Sequence, residues 1–271
     1  MTATDDNTPH VSRLFSYPVK GCSGVEPESL DIGPAGVAGD RRWMLVDDDG
    51  DFLSQREVPE LAQFRAAPTD SGLHLQRRAI DGTPAADIAV ERPVDGDPLE
   101  VHVWDDRQTV RTCEAGSAWF REQLDRPVRL VWMPEPVRAT DEGSEDDVVA
   151  FHDAYPALII SEASLDGLNA RLDDPIPMLR FRPTVVIGGV EAHAEDTPDR
   201  MTTGELEWEA AEPCTRCVVT TIDQETGTRR GPEPLRTLST YRDGDDGVEF
   251  GMYYLVRDRG TVRVGDPVAV E

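Results

Sequence analysis

The feature that most constrains this chain is its punctuation. From Val11 onward, short runs of β-branched and aromatic residues are cut at close intervals by Gly, Pro and Asp. Runs of that length and type suit pleated strands joined by turns and leave little room for long helices. Arg13-Leu14-Phe15-Ser16-Tyr17 meets Pro18. Arg42-Trp43-Met44-Leu45-Val46 meets the turn Asp47-Asp48-Asp49-Gly50, and Val101-His102-Val103-Trp104 alternates as a strand does. Residues 70–96 predict a hairpin with a variable loop. Residues 157–160, 184–187 and 217–222 read as further strands. Residues 261–270 close the chain as a strand broken at Gly265-Asp266-Pro267. Helical spacing is confined to two places. Residues 116–124 put Phe120 and Leu124 on one face. After Ser161, a capping residue, Leu165, Leu168 and Leu172 fall at i, i+3 and i+7 until Asp173-Asp174-Pro175. The expectation is an α+β, strand-dominated fold of two β-barrel-like halves with a few helices, and with Trp43 and Trp208 in the core.

A chain of 271 residues holds one large domain or two smaller ones. Residues 1–10 predict a disordered tail. Residues 138–147, acidic and without large apolar side chains, are the best flexible boundary. No apolar run reaches the roughly 18 residues of a spanning helix, and the first residues lack a basic and then apolar leader. The expected location is cytoplasmic.

Charge narrows the partners. The net charge is −26, from 53 Asp and Glu against 27 Lys and Arg. Such a surface repels nucleic acid and anionic membrane, and it resembles that of a salt-adapted protein. Only one of the 27 basic residues is a lysine, Lys20. Where lysine is otherwise absent, the one retained invites a functional reading.

Four cysteines, Cys22, Cys113, Cys214 and Cys217, are too few for a disulfide scaffold. Cys214 and Cys217 form the only CxxC. Spacing alone leaves three readings open: small buried hydrophobes, part of a zinc site, or a redox-metal ligand. A thioredoxin-like pair is disfavoured, because the β-branched residues that follow read as strand where that chemistry wants a helix start.

The surrounding text is more specific. Residues 212–241 (EPCTRCVVTTIDQETGTRRGPEPLRTLSTY) resemble the C-terminal core of MOSC-domain proteins. That family includes amidoxime-reducing components and bacterial relatives that reduce hydroxylated nitrogen compounds. Tyr17-Pro18-Val19-Lys20-Gly21-Cys22 and Gly39-Asp40-Arg41-Arg42-Trp43-Met44 are similar to motifs of the family's N-terminal β-barrel. Ser161-Glu162-Ala163-Ser164-Leu165, Phe181-Arg182-Pro183 and Gly265-Asp266-Pro267-Val268 match later segments in family order. The resemblance implies an N-terminal β-barrel domain over 11–130 and a MOSC domain over 131–271. It also implies a molybdenum–molybdopterin cofactor with Cys217 as metal ligand and catalytic residue, and Cys214 as a packing neighbour. Lys20, Gly21, Arg41, Arg182, Thr184, Thr215 and Arg216 fall at cofactor-binding positions. Relatives often carry Asn where this chain has Thr184, and one hydroxyl replaces only one of an amide's contacts.

The implied activity is a molybdenum-cofactor oxidoreductase that reduces N-hydroxylated compounds with electrons from a separate protein such as a ferredoxin. A cofactor carrier or sulfur-handling module is the alternative from the same family, and a zinc-stabilised binding protein is the alternative from outside it. His152-Asp153 suggests a proton shuttle, with a loop or core histidine preferred. His193-Ala194-Glu195-Asp196 suggests a hard-metal site, with a solvated acidic loop preferred. No nucleotide-binding glycine motif is present.

Overall fold

A computed structural model describes residues 8–80, 82–141, 143–144, 147–197 and 199–270. Among these, 22 strands and three α-helices confirm the strand-dominated α+β expectation.

The larger sheet runs through His10–Leu14, Val185–Gly188, Ala157–Ser161, Gly247–Val256, Leu206–Thr215, Arg200–Thr203 and Val268–Val270, with Asp243–Gly244 as a spur. Its two ends meet. The Val11 N–H donates to the Asp266 carbonyl, Gly265 N–H to Val11, and Val268 N–H to Pro9. The sheet therefore curls into a nearly closed barrel, which removes the open edges a flat sheet would expose. Val11, Leu14, Ile159, Ile187, Trp208 and Tyr254 fill its interior. Trp208 is fully buried and donates its indole N–H to Thr203 Oγ1 at 2.9 Å, so its polar edge is satisfied inside the core.

The other unit pairs Trp43–Val46, Arg129–Trp132, Asp106–Cys113 and Pro98–Val103 in one sheet. Phe64–Pro68, Gly72–Arg77 and Ala86–Glu91 form another. The last two of these are the expected hairpin. Helix α1 (Glu114–Leu124) covers them. Trp119 meets Phe64 edge-on at 5.6 Å, and Phe120 lies 5.1 Å from the same ring. Helix α2 (Glu162–Asn169) starts as its sequence predicts, with Ser161 Oγ accepting the Ser164 N–H. Helix α3 is the single turn Leu235–Leu238. No helix among the described residues is long and apolar enough to cross a membrane.

Chain order and spatial order differ. The first strand, His10–Leu14, pairs with Val185–Gly188, and Ser29–Gly33 pairs with Gly260–Arg263. The start of the chain thus completes the barrel built by its end. Of the expected tail, residues 1–7 lie outside the described residues, and His10 already belongs to a strand. The segment 138–147 is also tied more firmly than its composition suggests. Arg138–Ala139 pairs with Val148–Val149, and Arg138 is buried. Its Nη1 donates to the carbonyls of Ala150 and His152, and its Nε to Asp106 Oδ2. Residues 142, 145 and 146 of this segment lie outside the described residues.

Candidate functional site

Between the end of the barrel and the N-terminal unit lies a cavity of about 240 Å³. Five connections reach it. The first two are zipped together: Arg41 N–H donates to Tyr17, Trp43 N–H to Pro18, and Lys20 N–H to Trp43. The two motifs at 17–22 and 39–44 thereby share one wall. Residues 152–158 and 180–184 arrive just before the parallel strands Ala157–Ser161 and Val185–Gly188. The fifth follows Leu206–Thr215, whose pairing with Gly247–Val256 slips on both sides of Pro213. Pro213 has no N–H for the ladder, and the resulting bulges bend the chain that carries Cys214 to Cys217.

The structure brings every sequence-predicted site residue to this cavity: Lys20, Gly21, Arg41, Arg182, Thr184, Thr215, Arg216 and Cys217 all line it. Gly21 sits at φ +82°, and a Cβ there would approach Leu61 Cδ1 to 3.2 Å. Its carbonyl accepts Gln55 Nε2 at 2.7 Å. Lys20 is buried, and its Nζ donates to the Phe151 carbonyl at 2.9 Å and to Asp153 at 2.5 Å. Burial pushes its pKa down, and Asp153 offsets this in part. Arg41 (φ +46°) pairs with Asp40, while Arg182 (φ +56°) donates Nη1 to the Cys22 carbonyl at 2.8 Å. Both guanidinium groups lie against the Tyr17 ring, at 4.8 and 4.3 Å. Arg216 donates Nε to Phe250 and Nη1 to Phe181, and its buried Nη2 has no partner. Of the five non-glycine residues at positive φ among the described residues, Arg41, Arg182 and Trp104 line the cavity. Backbone strain is thus concentrated where the direction of a side chain matters.

Cys217 is exposed and free, whereas Cys214 is buried, and burial raises its thiol pKa. The expected strand at 217–222 is corrected. Val218–Thr221 forms a 3-10 turn with Cys217 at its start. The reason is local: Thr220 Oγ1 donates to the Cys217 carbonyl and Thr221 Oγ1 to Val218, so hydroxyls close the turn against β propensity. Burial of Cys214, and not a following strand, is what disfavours a thioredoxin-like pair. Among the described residues no three His, Cys, Asp or Glu side chains converge to hold a metal. A four-ligand zinc site made by protein alone has no donor set there.

Of two further expectations, the core reading of His152 holds and the solvated-loop reading of 193–196 does not. His152 is buried, lines the cavity, and has its Nε2 3.3 Å from Asp40 Oδ2. Neither ring nitrogen has a hydrogen-bond partner, and burial lowers its pKa to about 4, so it is neutral at pH 7. Burial alone would raise the Asp40 pKa, but Arg41 and the Tyr17 N–H outweigh it and hold the carboxyl well below its usual range. The segment at 193–196 is not a solvated loop. Glu195 is fully buried and accepts the Ser164 hydroxyl at 2.7 Å. Thr184 is buried with its hydroxyl already accepting the Leu158 N–H, while Thr215 is exposed.

Sequence reasoning missed Arg180, Trp104, Ser54, Gln55 and Tyr253, which also line the cavity. Only Arg180 carried a signal, as the first member of Arg-Phe-Arg. The cavity wall therefore holds five cationic side chains and one carboxylate, Asp153. Past Trp104, Asp153, Thr215 and Tyr253 lies a recess of about 690 Å³ of opposite character, with Asp105, Asp106, Asp141, Asp246 and Glu249 on its walls.

Two family models match the chain: the MOSC N-terminal beta barrel domain over residues 8–127 and the MOSC domain over residues 146–269. The chain is 33% identical to the human protein named mitochondrial amidoxime-reducing component 1, over 95% of this chain and 82% of that protein. It is 33% identical to rat mitochondrial amidoxime reducing component 2 over the same shares, and 31% identical to the Xenopus laevis component 1 over 95% and 81%.

Proposed function

The chain belongs to the family that joins a MOSC N-terminal β-barrel domain to a MOSC domain, and from that premise we propose a molybdenum-cofactor-dependent oxidoreductase that reduces N-hydroxylated small molecules. The observation that carries this reading is a charge inversion. In a chain of net charge −26, five cationic side chains and a single carboxylate line one cavity. Cations gathered at such density repel one another and favour a ligand that brings negative charge.

A phosphate-bearing pterin with a sulfur-ligated metal is a ligand of that kind, and the donor set fits it. Cys217 offers an exposed thiol at the cavity, a soft ligand once deprotonated. Arg216 keeps a buried Nη2 with no partner. Arg182 and Arg216 would grip the anion with planar forks. Lys20, held by Asp153, and Arg41, held by Asp40, would fix the flanks of the pocket. Gly21 keeps the wall low, Thr215 offers a hydroxyl at the opening, and Thr184, which already accepts one N–H, keeps its O–H and one lone pair. When bound, the cofactor would supply two-electron chemistry at its metal; with two electrons from the donor and two protons from solvent, an N–O bond would give way to N–H with release of water. Neutral His152 keeps a further cation out of the wall and offers the cavity an uncharged imidazole.

We assign the electrons to a separate donor protein such as a ferredoxin, a reading that the word component in the relatives' names supports. The names of the relatives support the substrate class. The test is molybdenum and pterin analysis of protein produced in a host that makes the cofactor, beside Cys217→Ala and Cys214→Ala. The expected result is loss of stable molybdenum in the first variant and little loss in the second. Wild-type protein with neither molybdenum nor pterin refutes the reading. Bound cofactor without turnover of an N-hydroxylated amidine, given a chemical reductant, favours a carrier instead.

A further inference from the structure

Arg180 is a cation of the cavity wall whose charge the protein answers only weakly. It is 8% exposed, close to complete burial. A buried guanidinium stays charged and needs an anion or a full set of acceptors. Arg180 has neither. Its Nη1 reaches the Thr220 carbonyl only at 3.5 Å, its Nε has no partner, and its nearest carboxylate oxygen, Asp223 Oδ2, is 4.0 Å from Nη2. Asp223 is itself in demand. Its Oδ1 accepts the N–H groups of Glu225 and Thr226, and its Oδ2 lies 3.4 Å from Arg230. One carboxylate thus faces two guanidinium groups.

The other cations of the wall are held in two ways. Lys20 is answered by Asp153 and Arg41 by Asp40, whereas Arg182 and Arg216 hold only backbone carbonyls. Arg180 and Arg216 are the two that line the cavity with buried guanidinium nitrogens lacking partners, Nε of one and Nη2 of the other. They flank a single residue, Phe181, whose carbonyl Arg216 holds at 3.0 Å. Each keeps an N–H without an acceptor, the kind of group from which a phosphate oxygen accepts.

We propose that Arg180 is a further anion-binding residue of the cavity, which with Arg216 receives the phosphate monoester of the bound ligand. The identity of that ligand as a pterin rests on the function proposed above. The chemistry, a phosphate on two unfilled guanidinium groups, does not.

The experiment compares wild type with Arg180→Met and Arg180→Lys. Pterin retained per chain is followed during dialysis of protein produced with the cofactor, and thermal melting is measured on cofactor-free protein with and without inorganic phosphate. Losing a charge-assisted hydrogen bond predicts that Arg180→Met releases pterin about 10- to 100-fold faster, with Arg180→Lys between it and wild type. Removing an unanswered buried cation predicts that cofactor-free Arg180→Met melts no lower than wild type. Inorganic phosphate should raise the wild-type melting temperature and leave that of Arg180→Met unmoved. Equal pterin retention in wild type and Arg180→Met overturns the assignment, even if phosphate stabilisation depends on Arg180, since the anion is then free phosphate. A fall in the cofactor-free melting temperature also overturns it, because Arg180 is then a structural strut. If wild type carries no pterin, the proposed function fails by itself. Arg180 is then judged on phosphate alone, and a shift equal in wild type and variant refutes it.

Discussion

His152 gives the most quantitative handle on this fold. It is 2% exposed and neutral, with its pKa lowered by burial from 6.5 to about 4. The sign follows from linkage. Between pH 6.5 and pH 4 the unfolded chain takes up a proton at this residue and the folded chain does not. The stability His152 allows is therefore complete above pH 6.5 and is lost as pH falls toward 4. Integrating the two titrations gives a loss of about 2 kcal/mol by pH 5 and about 3 kcal/mol by pH 4. The variant His152→Gln keeps a polar side chain of similar length and cannot titrate. Urea unfolding of both proteins at pH 7.5, 6, 5 and 4.5, at one fixed salt concentration, isolates this contribution. General repulsion among the 53 acidic residues cancels in the difference between the two. Asp40, whose carboxyl is held low, loses its contribution only as pH falls below the usual carboxylate range near 4, outside most of the window. Wild type should therefore lose stability relative to His152→Gln as pH falls. Parallel pH dependences would refute the placement of a neutral, desolvated imidazole beside Asp40.

Three further outcomes are expected. Arg138→Met should lower stability by about 2–4 kcal/mol in urea unfolding, because it strips the Ala150 and His152 carbonyls and Asp106 of their charged donor; an unchanged midpoint would mean the 138–149 segment is not anchored. Gly251→Ala should cost about 2 kcal/mol or more in thermal melts, since the residue sits at φ +79° and its new Cβ would lie 2.6 Å from Ile160 Cγ1. For turnover, a cationic N-hydroxylated substrate should show a lower KM than a neutral analogue of equal size, owing to the acidic recess beside the cavity. That gap should close as salt rises from about 0.1 to 1 M and the screening length falls from about 10 to 3 Å; an equal KM at low salt would show that the recess is not the approach.

Much of the fold was legible because strands declare themselves locally. Pro18, Gly50 and Gly188 end runs whose β-branched and aromatic residues have no better use. The failures share one physical cause, in that tertiary or hydroxyl contacts outweighed propensity. Val218-Val219-Thr220-Thr221 has strand composition, yet two threonine hydroxyls close it into a turn. Glu195 sits in an acidic run that looks solvated, yet the Ser164 hydroxyl draws it inside and Tyr254 donates to its carbonyl. Arg138 opens an acidic, loop-like segment, yet three acceptors hold it in the interior. The site residues were legible in a different way. Nothing in an isolated Arg41 or Arg182 separates a pocket cation from a surface ion pair, and only the order of motifs did so. Gln55 and Tyr253 stand in no such motif, and only the fold brings them to the cavity.

The arrangement also separates two electrostatic tasks that net charge alone would confuse. The cationic wall is made of short contacts that are buried or half-buried: Lys20 on Asp153 and Phe151, Arg41 on Asp40, Arg182 on Cys22, Arg216 on Phe181 and Phe250. Contacts of this kind are weakly screened by salt. The recess of carboxylates past Trp104 is open to solvent and fully subject to screening. Salt therefore acts on what enters the recess and hardly on what the cavity holds. In a chain of net charge −26, a purely surface attraction for an anion would fail at low salt, where the global field is strongest. A ligand held as proposed by Arg180, Arg182 and Arg216 would be answered at close range and insulated from that field. Pterin retention should accordingly stay level from about 0.1 to 1 M salt while the charge preference in KM disappears. A retention that rises steeply with salt would show that the global field, and not the buried guanidinium groups, governs the site.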